Sequence, residues 1–280
     1  MFLSFFTVNL TSHQQDHLAV GVTWSVPSHE SMNQLLNFPL FAIWQLVLYF
    51  LFAIGHFLAP VNQLSIFARS DLLEDKTSVH KPRSPEDVNS RKHTPDLELM
   101  VIASDINFES EGPSLGKDGF FSYLVTLLQP ESKGTLRLAS ADVRDRPISD
   151  MGWFNDKGGN DRAIMRKGLR LAGALIKELQ KQGYPAKNVN LPQAMDSDND
   201  LDRHIDRFSR TVYHYSSTCR MAPLNDPVSP GVVDDELRVH GVKGLRVADA
   251  SIFPRALAAH LQAGTVMVAE KCVEMIKRSE

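Results

Sequence analysis

The last quarter of the chain contains three informative segments in a fixed order. Residues 213–221 read YHYSSTCRM, residues 231–254 read GVVDDELRVHGVKGLRVADASIFP, and residues 260–271 read HLQAGTVMVAEK. His214 and His260 lie on either side of a strand predicted over residues 244–249. A final helix follows, and its apolar positions recur at helical spacing, which predicts one buried face formed by Val266, Ala269, Val273 and Ile276. One strand and one helix cannot enclose a core, so we expect this segment to complete a sheet supplied by other residues.

The rest of the chain places most of its predicted strands before its predicted helix. Alternating or continuous apolar residues predict strands over 14–27, 97–104, 120–129 and 134–139, and an amphipathic pattern predicts a helix over 161–182 that ends at Gly183. Residues 70–95 are polar, carry charges of both signs and contain three prolines, which predicts an exposed loop. Without regular strand–helix alternation, the pattern favours a mixed α+β fold.

Residues 38–60, FPLFAIWQLVLYFLFAIGHFLAP, are almost free of charge and long enough to cross a bilayer. One interpretation is a buried or partly surface-seated helix, bounded by Pro39 and Pro60. The other is membrane association through a spanning segment. No basic cluster flanks either end, as topology signals would require, so the first interpretation is favoured.

Composition narrows the function classes. The 280 residues contain 30 Lys and Arg against 33 Asp and Glu, a formal net charge of −3, which gives no electrostatic reason to expect a nucleic-acid partner. Cys219 and Cys272 are the only cysteines, and no histidine pair has zinc spacing, so neither a disulfide framework nor a metal site is predicted. The apolar start lacks basic leading residues and a small-residue cleavage site, which favours a cytoplasmic over a secreted protein.

The two histidines are candidates for acid–base chemistry. An imidazole titrates near neutral pH and can accept the proton of an alcohol as hydride leaves the carbon. Each also has a structural explanation. His214 lies between two tyrosines, where a hydrogen-bonded structural histidine is common, and His260 precedes the last helix, where it can act as a cap.

Several segments together resemble the C-terminal half of the glucose–methanol–choline (GMC) oxidoreductases, a family of FAD-dependent alcohol oxidases and dehydrogenases. The resemblance includes the three C-terminal segments and two earlier ones. These are LQPESKGTLRLAS at residues 128–140 and QQDHLAVGVTWSVP at residues 14–27, the second of which is similar to the family's Asn-Leu-Gln-Asp-His segment. The resemblance implies a substrate-binding domain with an antiparallel sheet and helices over 14–240. It also implies that residues 241–280 are the closing strand and helix of a Rossmann-like FAD domain. Residues 1–13 match poorly.

The resemblance also implies roles for individual residues. His214 takes the place of the family's active-site base, and His260 that of its second active-site histidine or asparagine. The residues implied to contact the cofactor are Asp249, Ala250, His260, Leu261 and Gln262. The implied reaction passes hydride from a small-molecule alcohol to flavin N5. The apolar content of the substrate region favours an aromatic or polyketide-like alcohol, as in fungal secondary metabolism.

The chain departs from the family in two respects. No GxGxxG loop, which receives the FAD pyrophosphate, occurs in the sequence, and the chain is roughly half the family's usual length. We therefore expect a C-terminal fragment that needs the missing FAD-domain half for activity. Two alternatives stay open: a catalytically inactive remnant, and a non-redox cyclase on the same fold.

Overall fold

The chain forms two compact units, each assembled from segments that are distant in sequence. A computed structural model describes residues 13–60, 62–73, 94–106, 118–227 and 229–279. The first unit comprises Met1–Leu18, Leu128–Asp161 and Thr211–Glu280, and the second comprises Ala19–Leu127 and Arg162–Arg210.

The described residues form eight strands and five α-helices. The strands are β1 (Leu18–Val26), β2 (Asn62–Ala68), β3 (Leu97–Ile102), β4 (Gly119–Leu127), β5 (Thr135–Arg137), β6 (Ile148–Asp150), β7 (Lys187–Asn188) and β8 (Ser209–Thr211). The helices are α1 (Gln34–Asn37), α2 (Pro39–Phe52), α3 (Asn160–Lys181), α4 (Asp198–Phe208) and α5 (Leu261–Ser279). The fold is α+β, as predicted.

A six-stranded sheet forms most of the second unit, in the order β2-β3-β4-β1-β7, with β8 also paired to β1. The β2–β3, β3–β4 and β1–β7 pairs are antiparallel. Trp24 of β1 is 1% exposed, and its ring makes an edge contact with Tyr123 at 5.4 Å between centroids. This burial is what the apolar strand patterns predict, because β-branched and aromatic side chains fill the face of a sheet.

Helices α3 and α4 are joined by charged pairs rather than by apolar contacts alone. Arg166 donates two hydrogen bonds to Asp202, at 2.7 and 2.6 Å, and Arg170 donates one to Asp198 at 2.6 Å. Helix α3 ends at Lys181, and the predicted stop, Gly183, follows two residues later with φ +93°, a left-handed conformation that glycine accepts without steric cost.

The predictions for residues 14–27, 97–104, 120–129, 134–139 and 161–182 are confirmed by β1, β3, β4, β5 and α3. Most of the loop predicted over residues 70–95 lies outside the described residues. Three other predictions need correction: the burial of residues 38–60, the strand over residues 244–249 and the buried face of the last helix.

Helix α2 lies at the surface, which agrees with the partly surface-seated helix favoured for residues 38–60, whereas a buried helix, the other form of that interpretation, is wrong. Leu40, Phe50 and Leu51 are 82%, 76% and 71% exposed, whereas the one buried residue of the helix is polar Gln45. The Gln45 side-chain oxygen accepts a hydrogen bond from the His56 main-chain N–H at 3.0 Å. Among the helices described, none combines the length and the apolar character that a membrane crossing requires. Local periodicity could not reveal that the described residues leave these side chains exposed.

Residues 244–249 do not form the predicted strand. They make one isolated bridge, Arg238 to Arg246, flanked by the backbone hydrogen bonds Val239 N to Leu245 O and Val247 N to Leu237 O, each 3.0 Å. A strand requires a continued ladder, and the described residues supply only this short pairing.

Helix α5 is confirmed, but its buried face differs from the predicted one. Leu261, Val268 and Cys272 are buried in an apolar cluster that includes Ile252 and Phe253. The predicted face is exposed: Val266 is 55%, Val273 47% and Ile276 40% accessible, and Ala269 is exposed as well. The helix therefore has two apolar faces, and the turn that precedes it covers only one of them.

Candidate active site

His214 is held by a tight turn in the first unit. Just after β8, the Tyr213 main-chain N–H donates to the Thr211 hydroxyl at 2.8 Å, and the His214 main-chain N–H donates to the Asp16 carboxylate at 3.0 Å. Tyr213 adopts φ +63°, a left-handed conformation that side chains with a Cβ rarely accept. The backbone thus holds a strained conformation directly before the candidate base, which is where such strain often serves a function.

We expect replacement of Tyr213 by glycine to raise the free energy of unfolding by about 0.5–1 kcal/mol. The left-handed conformation costs a residue with a Cβ about 1–2 kcal/mol, and the greater freedom of glycine in the unfolded chain offsets part of that gain. Tyr213 is 78% exposed, so its side chain contributes little buried area. Urea unfolding measures the change. Tyr215→Gly is the control, because Tyr215 has no positive φ and its replacement by glycine should lower stability. An equal loss of stability in both variants would show that the Tyr213 backbone is not strained.

Three histidines form a contiguous group around this turn. The ring centroids of His214 and His260 are 4.9 Å apart, with an interplanar angle of 71°. His17 lies against the other side of the group, with its centroid 4.9 Å from that of His214 and the rings at 83°. The Nδ1 atoms of His17 and His214 are 2.8 Å apart, and His17 Nε2 is 2.8 Å from the Leu257 carbonyl oxygen. The two predicted catalytic histidines are therefore neighbours, although 46 positions separate them in sequence.

Burial increases from one end of the group to the other. His260 is exposed, His214 is half-buried and His17 is completely buried. Burial, followed by the nearby His214, lowers the pKa of His17 to about 4, although the carbonyls of Leu257 and Leu128 oppose the shift. His17 is therefore neutral at pH 7. Burial also raises the pKa of the Asp16 carboxyl, against hydrogen bonds from Thr211 and from the main chain of His214 and His17.

Gln15 connects the backbone segments that hold this group. Its main chain exchanges hydrogen bonds with Ser216 at 3.1 and 2.9 Å. Its side-chain amide donates to the Pro130 carbonyl at 2.7 Å and accepts from the Ala256 main-chain N–H at 2.9 Å. The chain that leads to Leu257 and His260 is thereby fixed to the segment that contains His214.

Asp249 and Ala250 lie on a separate turn that begins a short 3₁₀ helix, Ala250–Ile252. The Asp249 carboxylate accepts from the Ser251 main-chain N–H at 2.8 Å, which caps this helix. The Ala250 carbonyl accepts from the Ser217 main-chain N–H at 3.3 Å. The turn is thus joined by its backbone to the chain three residues after His214.

Leu261 and Gln262 are the first two residues of α5, directly after His260. Gln262 is exposed, whereas Leu261 is buried in the apolar cluster of the first unit. The first N–H groups of a helix have no partner within the helix, and its dipole favours negative charge at this end. Gly264 lets the helix approach closely, because a Cβ at this position would lie 2.7 Å from the Leu257 side chain.

His17 and Asp16 were not among the site residues predicted from the sequence. Both occur in residues 14–27, the segment that is similar to the family's Asn-Leu-Gln-Asp-His segment, so a signal was present. Their role depends on contacts across about 200 positions, which no local pattern displays. Among the described residues, no group of three or more His, Cys, Asp or Glu side chains could hold a metal ion.

Comparison with known proteins agrees with this architecture. A family model described as GMC oxidoreductase matches residues 130–269. Choline oxidase from Arthrobacter globiformis is 33% identical over 185 residues, which cover 65% of this chain and 33% of that enzyme. A variant of formate oxidase from Aspergillus oryzae RIB40 superposes with a TM-score of 0.79 at 24% identity, covering 98% of this chain and 48% of the other. A fungal aryl-alcohol oxidase gives a TM-score of 0.72 at 21% identity, covering 98% and 49%.

The chain therefore spans about a third of the curated relative and about half of the solved structures that it matches. Within that span, the family model covers half of the 280 residues, from the segment that follows β4 into helix α5. It includes both members of the His214–His260 pair and the Asp249–Ala250 turn. The chain belongs to the GMC oxidoreductase family.

Proposed function

We propose that this chain is the substrate-binding and catalytic half of an FAD-dependent oxidoreductase that acts on the CH–OH group of a small-molecule alcohol. The observation that carries the proposal is the pair of imidazole rings of His214 and His260, 4.9 Å apart. His260 is exposed, so a small substrate can reach the pair from its side. His214 is half-buried, so the surrounding residues hold the pair in place.

In this proposal His214 accepts the hydroxyl proton of the alcohol, and His260 binds and orients the same oxygen. When bound, FAD supplies the acceptor for the hydride that leaves the alcohol carbon. Both histidines act mainly on charge that develops in the transition state, so they contribute more to turnover than to substrate affinity.

The residues around His260 fit a flavin. The 19-residue helix α5 begins at Leu261, so its N-terminal N–H groups lie beside the histidine pair. A reduced flavin carries negative charge, which a helix N-terminus stabilises. We assign the contacts with the cofactor to His260, Leu261 and Gln262 and to the turn formed by Asp249 and Ala250.

We further propose that a second polypeptide segment supplies the pyrophosphate site. Residues 14–240 would then be the substrate-binding domain, and residues 241–280 the closing piece of an FAD domain. The exposed apolar stripe of α5, with Val266, Val273 and Ile276, is the surface that this segment would cover. An aromatic or polyketide-like alcohol is the proposed substrate class, and a biosynthetic pathway the proposed context. Neither nucleic acid nor a membrane is part of the proposal.

The proposal predicts retained flavin and alcohol-dependent flavin reduction. The visible absorption spectrum of the purified chain is measured after incubation with FAD and gel filtration, alone and after co-expression with the FAD-domain half of choline oxidase. Bleaching of the flavin band by choline or an aryl alcohol supports the proposal. A chain that stays colourless in both preparations supports the inactive remnant. Bound flavin with a cyclised product but no bleaching supports the non-redox alternative.

A further inference from the structure

We propose that His17 is a positioning residue for the proton acceptor: it fixes His214 in the tautomer that carries its proton on Nδ1, which makes Nε2 the basic nitrogen. This inference rests on the proposed function for its catalytic meaning. The tautomer itself follows from two contacts of the described residues and from the neutral charge of His17, and it can be tested without flavin or substrate.

The first step concerns His17 and the main chain. His17 Nε2 lies 2.8 Å from the carbonyl oxygen of Leu257. A carbonyl oxygen can only accept a hydrogen bond, so the proton of this contact belongs to Nε2. The ring is completely buried, and removal of this hydrogen bond would leave a polar group without solvent. The Leu257 carbonyl therefore determines which nitrogen of His17 is protonated.

The second step concerns the charge of His17. Because its pKa is lowered to about 4, the ring is neutral at pH 7 and holds one N–H only. With that proton on Nε2, the Nδ1 atom of His17 has a lone pair and accepts hydrogen bonds. The Nδ1 atom of His214 lies 2.8 Å away, a distance that requires a proton between the two nitrogens. That proton must belong to His214.

The consequence for His214 is a defined direction of basicity. A neutral imidazole with its proton on Nδ1 has its lone pair on Nε2, so Nε2 is the nitrogen that takes a substrate proton. The imidazolium formed then keeps its hydrogen bond to His17. In catalytic triads, a buried carboxylate holds the histidine tautomer in the same way. A neutral imidazole performs this orientation without adding a negative charge that would favour protonation of His214 before the alcohol arrives.

The other titratable groups around the pair do not replace His17. The Asp16 carboxylate accepts from the main-chain N–H of His214 rather than from its ring, so it fixes the backbone. His260 lies against His214 and contributes to the lowered pKa of His17. Leu257 precedes His260 by three residues, so the carbonyl that orients His17 and the second active-site histidine belong to one segment.

The test is two-bond ¹⁵N–¹H correlation NMR on the full chain labelled with ¹⁵N-histidine, at pH 7 and in a titration to pH 5. We expect His214 to show the tautomer with its proton on Nδ1 and His17 the tautomer with its proton on Nε2, without titration of His17 in this range. His214→Gln and His17→Asn assign the signals. A His214 proton on Nε2, or equal populations of both tautomers in the unmodified chain, would overturn the proposal.

Variants of His17 separate positioning from packing. His17→Phe fills the ring volume without hydrogen bonds, and His17→Asn restores an acceptor near the Nδ1 position. We expect His17→Phe to mix the tautomers of His214 and to lower kcat by about 10–100-fold with little change in KM, as for loss of other orienting partners. His17→Asn should recover most of the single His214 tautomer and most of the kcat. Equal behaviour of Phe and Asn, or an unchanged tautomer in His17→Phe, would overturn the proposal. A correct tautomer without any alcohol oxidation would instead count against the proposed function alone.

Discussion

Replacement of His214 by alanine is expected to lower kcat for alcohol oxidation by about 10²–10⁴-fold, because the hydroxyl proton then has no positioned acceptor as hydride leaves. KM should change by much less, since the histidine acts mainly on transition-state charge. The measurement is steady-state oxidation of the best alcohol by the FAD-loaded protein, with flavin content normalised by absorption. His214 is half-buried and held by main-chain contacts, so removal of its ring should leave the fold intact.

Two variants sharpen this measurement. His29→Ala is the control for a histidine change as such, because the His29 side chain is 75% exposed and pairs only at 3.6 Å with Glu30; its kcat should equal that of the unmodified protein. The kcat of His260→Ala should fall less than that of His214→Ala, because in the proposed function His260 orients the oxygen without being its first proton acceptor. If kcat fell less than tenfold in His214→Ala, or fell further in His260→Ala than in His214→Ala, the assignment of His214 as the base would be wrong.

Some elements of the fold could be predicted from local periodicity, whereas the strand predicted over residues 244–249 is not formed and helix α4 was not predicted. The apolar runs of β3 and β4 and the amphipathic pattern of α3 each require only neighbouring residues. Their environments could not be predicted in this way. Helix α2 consists almost entirely of apolar residues, yet its only buried residue is Gln45, because the described residues that contact it, such as His56 and Phe57, leave most of its apolar side chains exposed. The same reason explains α5, where periodicity correctly identified an apolar stripe but could not determine which face the Ile252–Phe253 turn would cover.

The candidate site shows the same division. His214, His260 and the Asp249–Ala250 turn were identifiable from motifs that resemble a family, and the structure brings the two histidines to 4.9 Å. The orienting contacts of His17 were not identifiable, because the hydrogen bond between His17 and His214 spans 197 positions and that between His17 and Leu257 spans 240. Side-chain chemistry can be recognised from sequence, whereas the hydrogen-bond partner that selects a tautomer is a property of tertiary structure.

Replacement of Gln15 by alanine is expected to lower the free energy of unfolding by about 2–4 kcal/mol. Loss of the amide leaves two main-chain groups without their partner, the Pro130 carbonyl and the Ala256 N–H, and each buried unsatisfied group costs about 1–3 kcal/mol. Gln15 itself is only 5% exposed, so water cannot easily replace the amide. Urea unfolding followed by circular dichroism measures the loss.

Two comparisons test whether the loss comes from these hydrogen bonds. Gln182→Ala removes the same amide from an exposed position near the end of α3 and should change stability by no more than about 0.5 kcal/mol. Gln15→Met keeps most of the side-chain volume but neither hydrogen bond, so it should be nearly as destabilised as Gln15→Ala. If Gln15→Met were as stable as the unmodified chain, packing alone would hold this segment. Because the segment joins Ala256 to His260, a loss in Gln15→Met should also appear as a lower kcat, since the rings of His214 and His260, catalytic in the proposed function, would no longer share one fixed backbone.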